Sequence, residues 1–285
     1  MIPAVLYAVP AFLLLILVEA LSYRFAPDDT ARGYQARDTA TSLTMGAGSQ
    51  LVGVPWKLLT VGLYAAAYTV SPFQLSPGDW WVWVLLFFAD DVAYYWFHRA
   101  HHEVRLFWAG HVVHHSSVFF NFSTALRQSW TPMTSLPFWL VLALLGIPPW
   151  MIFLQQSISL LYQFFLHTER ITVLPRPIEF VFNTPSHHRV HHGSNNEYLD
   201  RNYGGILIVW DRLFGTFAPE GNAVRYGLTT NIGTYHPLRV ATHEYAAIWR
   251  DLRGTTSWRH RLGYLLGRPG WQPARATARP GALAG

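Results

Sequence analysis

The chain has 285 residues, 51% of them hydrophobic and 13% charged, with a net charge of +5; globular domains carry about 25% charged residues, so the deficit argues against an ordinary water-soluble domain. The absence of cysteine excludes disulfides, thiolate zinc sites and Cys-ligated iron–sulfur clusters, leaving histidine and carboxylate to hold any metal. Lys57 is the only lysine and the arginines are dispersed over loops and tail, so no nucleic-acid partner is expected.

With 13 Trp, 14 Tyr and 18 Phe, the composition suits lipid contact and interfacial aromatic belts. The first apolar run, Ile2 to Leu21, is long enough to span a bilayer, which takes about 20 helical residues. It has neither a basic start nor a small-x-small cleavage site, so it reads as a retained helix. A polar loop with Arg24, Arg32 and Arg37 follows. Leu51 to Val70 forms a second span, interrupted by Lys57 and ended by Pro72 and Pro77. Trp80 to Phe97 is a third; its Asp90 and Asp91 are costly in lipid and are expected to face the protein interior. From Leu136 to Phe165 the chain is apolar but broken at Gly146-Ile147-Pro148-Pro149, which predicts two short helices joined by a tight turn.

The expected fold is therefore all-α: an integral membrane bundle of about five spans with a cytoplasmic, histidine-rich helical cap. The expected organisation is N-terminal membrane helices and loop over 1–78, a histidine-bearing domain over 79–235, a C-terminal cytoplasmic segment over 236–267 and a disordered tail over 268–285, rich in Pro, Gly, Ala and Arg. The segments after the first, third and fifth spans carry the arginines, among them Arg99, Arg105, Arg127, Arg170, Arg176 and Arg189. Positive-inside places the N-terminus outside and every histidine cluster on the cytoplasmic side. A bacterial inner membrane or the endoplasmic reticulum suits that topology.

Eleven of the 14 histidines lie between residues 98 and 192. They form His98-Arg99-Ala100-His101-His102, His111-Val112-Val113-His114-His115 and His187-His188-Arg189-Val190-His191-His192. Residues three and four apart share a helix face, so His98 with His102, His111 with His114 and His115, and His188 with His191 and His192 each point one way. A solvated or pH-sensing histidine face is the bland alternative. Neutral imidazole is the commonest metal ligand, and eight at these spacings exceed what one tetrahedral ion needs. Two metals fit the count better. Imidazole suits zinc, copper, iron and nickel, so spacing leaves the metal open. The lone His236, His243 and His260 read as surface residues.

The runs Trp96-Phe97-His98-Arg99-x-x-His102-Glu103, Trp108-Ala109-Gly110-His111-x-x-His114-His115-Ser116-Ser117 and Ser123 to Ser129, with Gln163 to Glu169, Asn183 to Gly193 and Asn202 to Phe217, resemble the fatty acid hydroxylase and sterol desaturase superfamily. The likeness covers residues 79–235 and is nearest to the glyceryl-ether (alkylglycerol) monooxygenase branch. The resemblance implies an integral membrane di-iron lipid monooxygenase, an oxidoreductase using O2 and two electrons. Its eight-histidine pattern falls on His98, His102, His111, His114, His115, His188, His191 and His192, and His167 sits where relatives supply a further ligand. Gln163 stands where some fatty acyl hydroxylases have another histidine, which implies a more open position on one metal. Two Fe ions are implied, and zinc can occupy the same imidazoles in purified protein.

His101 and His187 fall off the pattern and are candidates for outer contacts or substrate contacts, with metal ligation the lesser alternative. Glu103 matches an acidic position of the glyceryl-ether branch, against the alternative of an i, i+4 ion pair with Arg99. Asp91, seven residues before His98 on one helical face, is a candidate to accept a ligand histidine's free ring N–H or to make a helix–helix hydrogen bond. Arg127 and Gln128 are candidates to hold a polar head group. The chain has no Gly-x-Gly-x-x-Gly and no phosphate loop, so electrons are expected from an external donor: tetrahydropterin in the glyceryl-ether branch, a ferredoxin or cytochrome otherwise. The lipid substrate is expected to enter from the bilayer. Alternatives are a fatty acyl, sterol or carotenoid hydroxylase or desaturase and, from another class, a non-catalytic metal-binding membrane protein or metal transporter. A transporter would place its ligands near mid-membrane in broken helices, whereas these follow the spans.

Overall fold

Long apolar stretches free of breakers fold as helices, and the breakers mark where helices stop. A computed structural model describes residues 7–273; the start of the first expected span (Ile2–Leu6) and residues 274–285 of the expected tail lie outside the described residues. The described residues are helical and contain no strand, only the isolated bridges Phe182 to Leu207 and Gly193 to Tyr226. In chain order, α1 is Val9–Phe25, α2 Ala36–Val70, α3 Trp80–Glu103, α4 Arg105–His115 and α5 Phe122–Ala125. A 3₁₀ turn at Pro132–Ser135 leads into α6, Leu136–Leu144. Then come α7 Pro149–Phe164, α8 Arg176–Val181, α9 Pro185–His191, α10 Val209–Phe214, α11 Pro237–Arg253 and α12 Trp258–Leu266.

The second helix differs from the sequence expectation. It begins at Ala36 rather than near Leu51, through a Thr-, Ser- and Gly-rich stretch of modest helix propensity. Tertiary contacts hold that stretch. The Gln35 side chain caps it by accepting from the Asp38 N–H, the Thr41 hydroxyl donates to the Tyr235 carbonyl at 2.8 Å, and Asp38 pairs with Arg127. By length and composition α2 is the one helix among the described residues able to cross a membrane. Its Leu51 and Leu58 are 78% and 72% exposed, an apolar surface that calls for a non-aqueous neighbour.

The Gly146 to Pro149 break separates α6 from α7 as expected. Gly146 has φ +84°, and a Cβ there would lie 2.2 Å from the Phe73 carbonyl oxygen, so only glycine fits the turn. Tyr64 of α2, Leu86 of α3, Trp139 of α6 and Ile152 of α7 pack into one buried cluster. Asp90 is wholly buried beside it, and its Oδ1 accepts the Trp139 indole N–H at 2.7 Å while Oδ2 has no hydrogen-bond partner.

Against this bundle α3 and α4 form a sharp corner, separated by the single extended residue Val104. The α1 helix is tied on by stacking of Phe12 on Phe164, centroids 4.1 Å apart, and by buried Glu19, which accepts from the Tyr34 and Thr168 hydroxyls and the Phe122 N–H. Residues 268–273, expected to begin a disordered tail, instead fold back. The Gly267 carbonyl accepts the Arg105 N–H at 2.9 Å, and Trp271 meets Tyr264 edge-on, filling the space that Gly263 leaves open.

Candidate metal centre

Nine histidines converge in two groups. His98, His102, His111, His115 and His191 form one, and His114, His167, His188 and His192 the other; within each, the donor nitrogens lie within 4.8 Å of one another. The helices explain the sorting. One turn of α3 stacks His98 under His102, α4 sends His111 and His115 to the first group and His114 to the second, and α9 sends His191 to the first and His188 with His192 to the second. His167 arrives from the turn after α7. Because α4 and α9 each serve both groups, the groups are neighbours: the His115 and His192 rings stack at 4.3 Å.

Nitrogen faces nitrogen across these groups. The Nε2 atoms of His98 and His111 are 3.0 Å apart, His115 and His111 3.1 Å, His167 and His114 3.1 Å, and His188 and His167 3.0 Å. Metal–imidazole bonds of about 2.1 Å put adjacent donors about 3.0–3.4 Å apart. The Nε2 atoms of His102, His191 and His192 are buried without any hydrogen-bond partner, a state that costs about 1–3 kcal/mol per group and that a bound cation removes. The arrangement fits two metal ions held by imidazole alone.

Charge points the same way. Burial first, and repulsion from neighbouring imidazoles second, hold His111, His114, His115, His188 and His192 well below the ordinary histidine value. Burial brings His191 down to about 4 and His167 to about 3. All are neutral near pH 7, the form that ligates. Outer nitrogens rest on backbone oxygens: His98 Nδ1 on Tyr203 (2.9 Å), His191 Nδ1 on Arg201 (3.0 Å) and His167 Nδ1 on Gln163 (2.8 Å). Sequence reading missed Arg201 and Tyr203, because a carbonyl has no residue-type signature.

The remaining sequence candidates lie outside both groups. Asp91 touches no histidine. Its carboxylate accepts the N–H groups of Ile206 (2.8 Å) and Leu207 (3.1 Å) and the Trp210 indole (2.8 Å). Glu103 forms the i, i+4 ion pair with Arg99 at 3.0 Å and lies 3.5 Å from Arg268. Arg127 is 1% exposed and donates to Asp38, Ser116 and Ser42, so its charge is consumed internally and is not free for a head group. Gln128 is exposed and its amide donates to the Ala125 carbonyl.

His101 is buried between the Phe97 carbonyl and the Thr134 hydroxyl. His187 faces away from the metals and pairs with Glu179 at 2.8 Å, beside a separate cavity of about 390 Å³ that Arg212 also lines. The Gln163 side chain donates to Ser159, so the group containing His167 has four imidazoles where the other has five. A cavity of about 500 Å³, lined by Trp108, Asp200, Glu244 and Arg268, reaches His102, His115, His191 and His192.

Comparison with known proteins agrees with the histidine pattern. The chain is 43% identical to an alkylglycerol monooxygenase of Danio rerio over 270 residues, 94% of this chain and 60% of that protein. It is 42% identical to the alkylglycerol monooxygenase of Homo sapiens over 242 residues, 84% of this chain and 54% of that protein. Ornithine lipid hydroxylase OlsE of Rhizobium tropici is 29% identical over 148 residues, 48% of this chain and 43% of that protein. The chain thus spans 60% or less of the length of these relatives. No solved structure matches significantly. The fatty acid hydroxylase family model matches residues 83–216, a stretch that holds all nine converging histidines.

Proposed function

We propose that this chain is a membrane-embedded di-iron monooxygenase that hydroxylates a lipid C–H bond with O2 and, on the carbon beside an ether oxygen, cleaves alkylglycerols. The observation that carries the reading is the sorting of nine neutral imidazoles into two adjacent groups of five and four. The names of its relatives, alkylglycerol monooxygenase among them, supply the substrate class. Iron bound by these groups supplies O2 activation when reduced. The chain's own part is to hold the imidazoles neutral and rigid, and to bury them beneath packed helices that limit water. A hydroxyl placed beside an ether oxygen makes a hemiacetal, which separates into aldehyde and glycerol without further help.

An external donor supplies the two electrons, with tetrahydropterin the first choice. The 500 Å³ cavity, whose wall carries Arg105, Asp200, Glu244 and Arg268, gives such a polar molecule an approach to the five-histidine group. The membrane arrangement proposed is five spans with the N-terminus outside and the histidines on the cytoplasmic side.

The deciding experiment loads the purified chain with iron, measures metal per chain, and incubates it with alkylglycerol, O2 and tetrahydropterin. Two irons per chain and fatty aldehyde are expected; two irons with no aldehyde overturns ether cleavage. The likeness to an ornithine lipid hydroxylase favours one second reading, hydroxylation of an acyl chain, which the same incubation reports as a hydroxy-lipid. Metal bound without O2 uptake under any donor returns the chain to a binding or transport role. Because the chain lacks cysteine, single cysteines at Ser76 and Ser194 report topology directly: labelling of Ser76→Cys from outside and Ser194→Cys from the cytoplasmic side is expected, and the same side for both overturns the proposed arrangement.

A further inference from the structure

Among the described residues, two that are not glycine have left-handed backbone: Asp200 at φ 59° and Asn202 at φ 58°. Asn and Asp are the L residues that take up that conformation most readily, and here two of them within three residues turn the backbone sharply. Residues 200–203 approach three of the five histidines of one group. The Arg201 carbonyl accepts from His191 Nδ1 at 3.0 Å, the Tyr203 carbonyl from His98 Nδ1 at 2.9 Å, and Asp200 Oδ1 lies 3.9 Å from His102 Nδ1. A carbonyl that accepts at Nδ1 puts the ring proton there and leaves the Nε2 lone pair for the metal. Two carbonyls on one short loop therefore choose the tautomer and the ring plane of two ligands from different helices.

We propose that residues 200–203 are a positioning clamp for the five-histidine metal and that Asn202 sets it. This rests on the reading of the nine histidines as a pair of metal sites. Asn202 is wholly buried and its hydrogen-bonding capacity is used on all sides. Its N–H donates to the Thr216 carbonyl at 3.0 Å, its amide donates to the His187 and Ala218 carbonyls at 3.1 and 2.7 Å, and its Oδ1 accepts the Ala218 N–H at 2.9 Å. Glycine tolerates the backbone angle but makes none of the side-chain bonds; aspartate tolerates the angle and keeps the acceptor but loses both donors. Asp211 completes the clamp by accepting the Tyr203 and Gly204 N–H groups, each at 2.7 Å, which fixes the peptides on either side of Tyr203. In the four-histidine group, by contrast, His167 leans on Gln163 in its own turn and needs no such loop.

Titration of the full chain with cobalt(II), followed by its visible spectrum and by metal analysis, tests the assignment. Wild type is expected to take two ions. Asn202→Gly is expected to weaken one of them by about 10–100-fold, the range seen when outer contacts of metal ligands are removed, and to leave the other within about threefold. In a His98→Ala background, where the five-histidine site is already impaired, Asn202→Gly is expected to change the remaining tight site by less than threefold. Loss of affinity at both sites alike, at neither, or at the remaining site in the His98→Ala background overturns the clamp. Fewer than two ions in wild type overturns the metal pair itself, a separate failure. Should Asn202→Gly not fold, Asn202→Asp keeps the backbone angle and the Oδ1 bond and is read by the same criteria.

Discussion

Arg127 lies 2.8 Å from the Asp38 carboxylate, and both side chains are at most 2% exposed. Ser116 accepts from Arg127 and Ser117 donates to Asp38, so the pair locks the start of α2 onto the turn that directly follows His114 and His115. Removing one partner of a buried pair strands the other and costs about 3–5 kcal/mol. Asp38→Ala is therefore expected to lower the thermal midpoint of the metal-free chain sharply, while Asp38→Leu combined with Arg127→Met recovers most of the loss. A double variant no more stable than Asp38→Ala would show that the charges contribute beyond their mutual compensation.

Ligand variants separate the metal groups. His191→Ala should strip one metal and His114→Ala the other, each abolishing lipid oxidation, while His260→Ala leaves metal content and turnover unchanged. His101→Ala removes a buried ring that bridges Phe97 and Thr134 and is expected to cost about 1–3 kcal/mol of stability while two metals still bind. Metal analysis beside a turnover assay reads all four, and full activity in either of the first two counts against the site.

Acid should unfold the metal-free chain at a predictable place. Unfolded histidine titrates near about 6.5, whereas burial holds His191 at about 4 and His167 at about 3 in the fold. Between those values the unfolded chain binds more protons than the folded one, so stability is full above pH 6.5 and is lost as pH falls toward 4. Each such histidine contributes up to about 1.4 kcal/mol per pH unit. The thermal midpoint in detergent is expected to hold from pH 8 to 7 and drop steeply from 6.5 to 5; a flat profile would mean that the rings take up protons in the fold as readily as in the unfolded chain.

Asp91→Ala leaves the N–H groups of Ile206 and Leu207 and the Trp210 indole without an acceptor. Stability is expected to fall by about 2–4 kcal/mol, the cost of stranded buried donors, with metal content reduced only as far as the loop loosens. Hydrogen exchange at Ile206 and Leu207 checks this: protection unchanged from wild type would show that the carboxylate does not hold the loop.

The histidine spacings were legible because i, i+3 and i+4 place rings on one face whatever the tertiary structure. The split into five and four was not, because it depends on how α3, α4 and α9 cross. The break at Pro148-Pro149 was readable as a local steric fact, but the start of α2 at Ala36 was not, since Gln35, Tyr235 and Arg127 hold it from outside the segment. The shared helix face offers Asp91 either a histidine or a structural hydrogen bond and cannot choose between them, because the partners that decide it come from residues 206–210. Arg127 looked like a free cation in Leu126-Arg127-Gln128 because Asp38, 89 residues earlier, is invisible to local reading.

Val104 carries a consequence for how this protein can vary. It is the entire joint between the helix bearing His98 and His102 and the helix bearing His111, His114 and His115. One residue inserted there would re-aim α4 relative to α3 and carry His111, His114 and His115 out of register with both histidine groups together. Loops that neither carry nor touch a histidine of the two groups can lengthen without disturbing them; at this corner a change of chain length displaces donors of both groups at once.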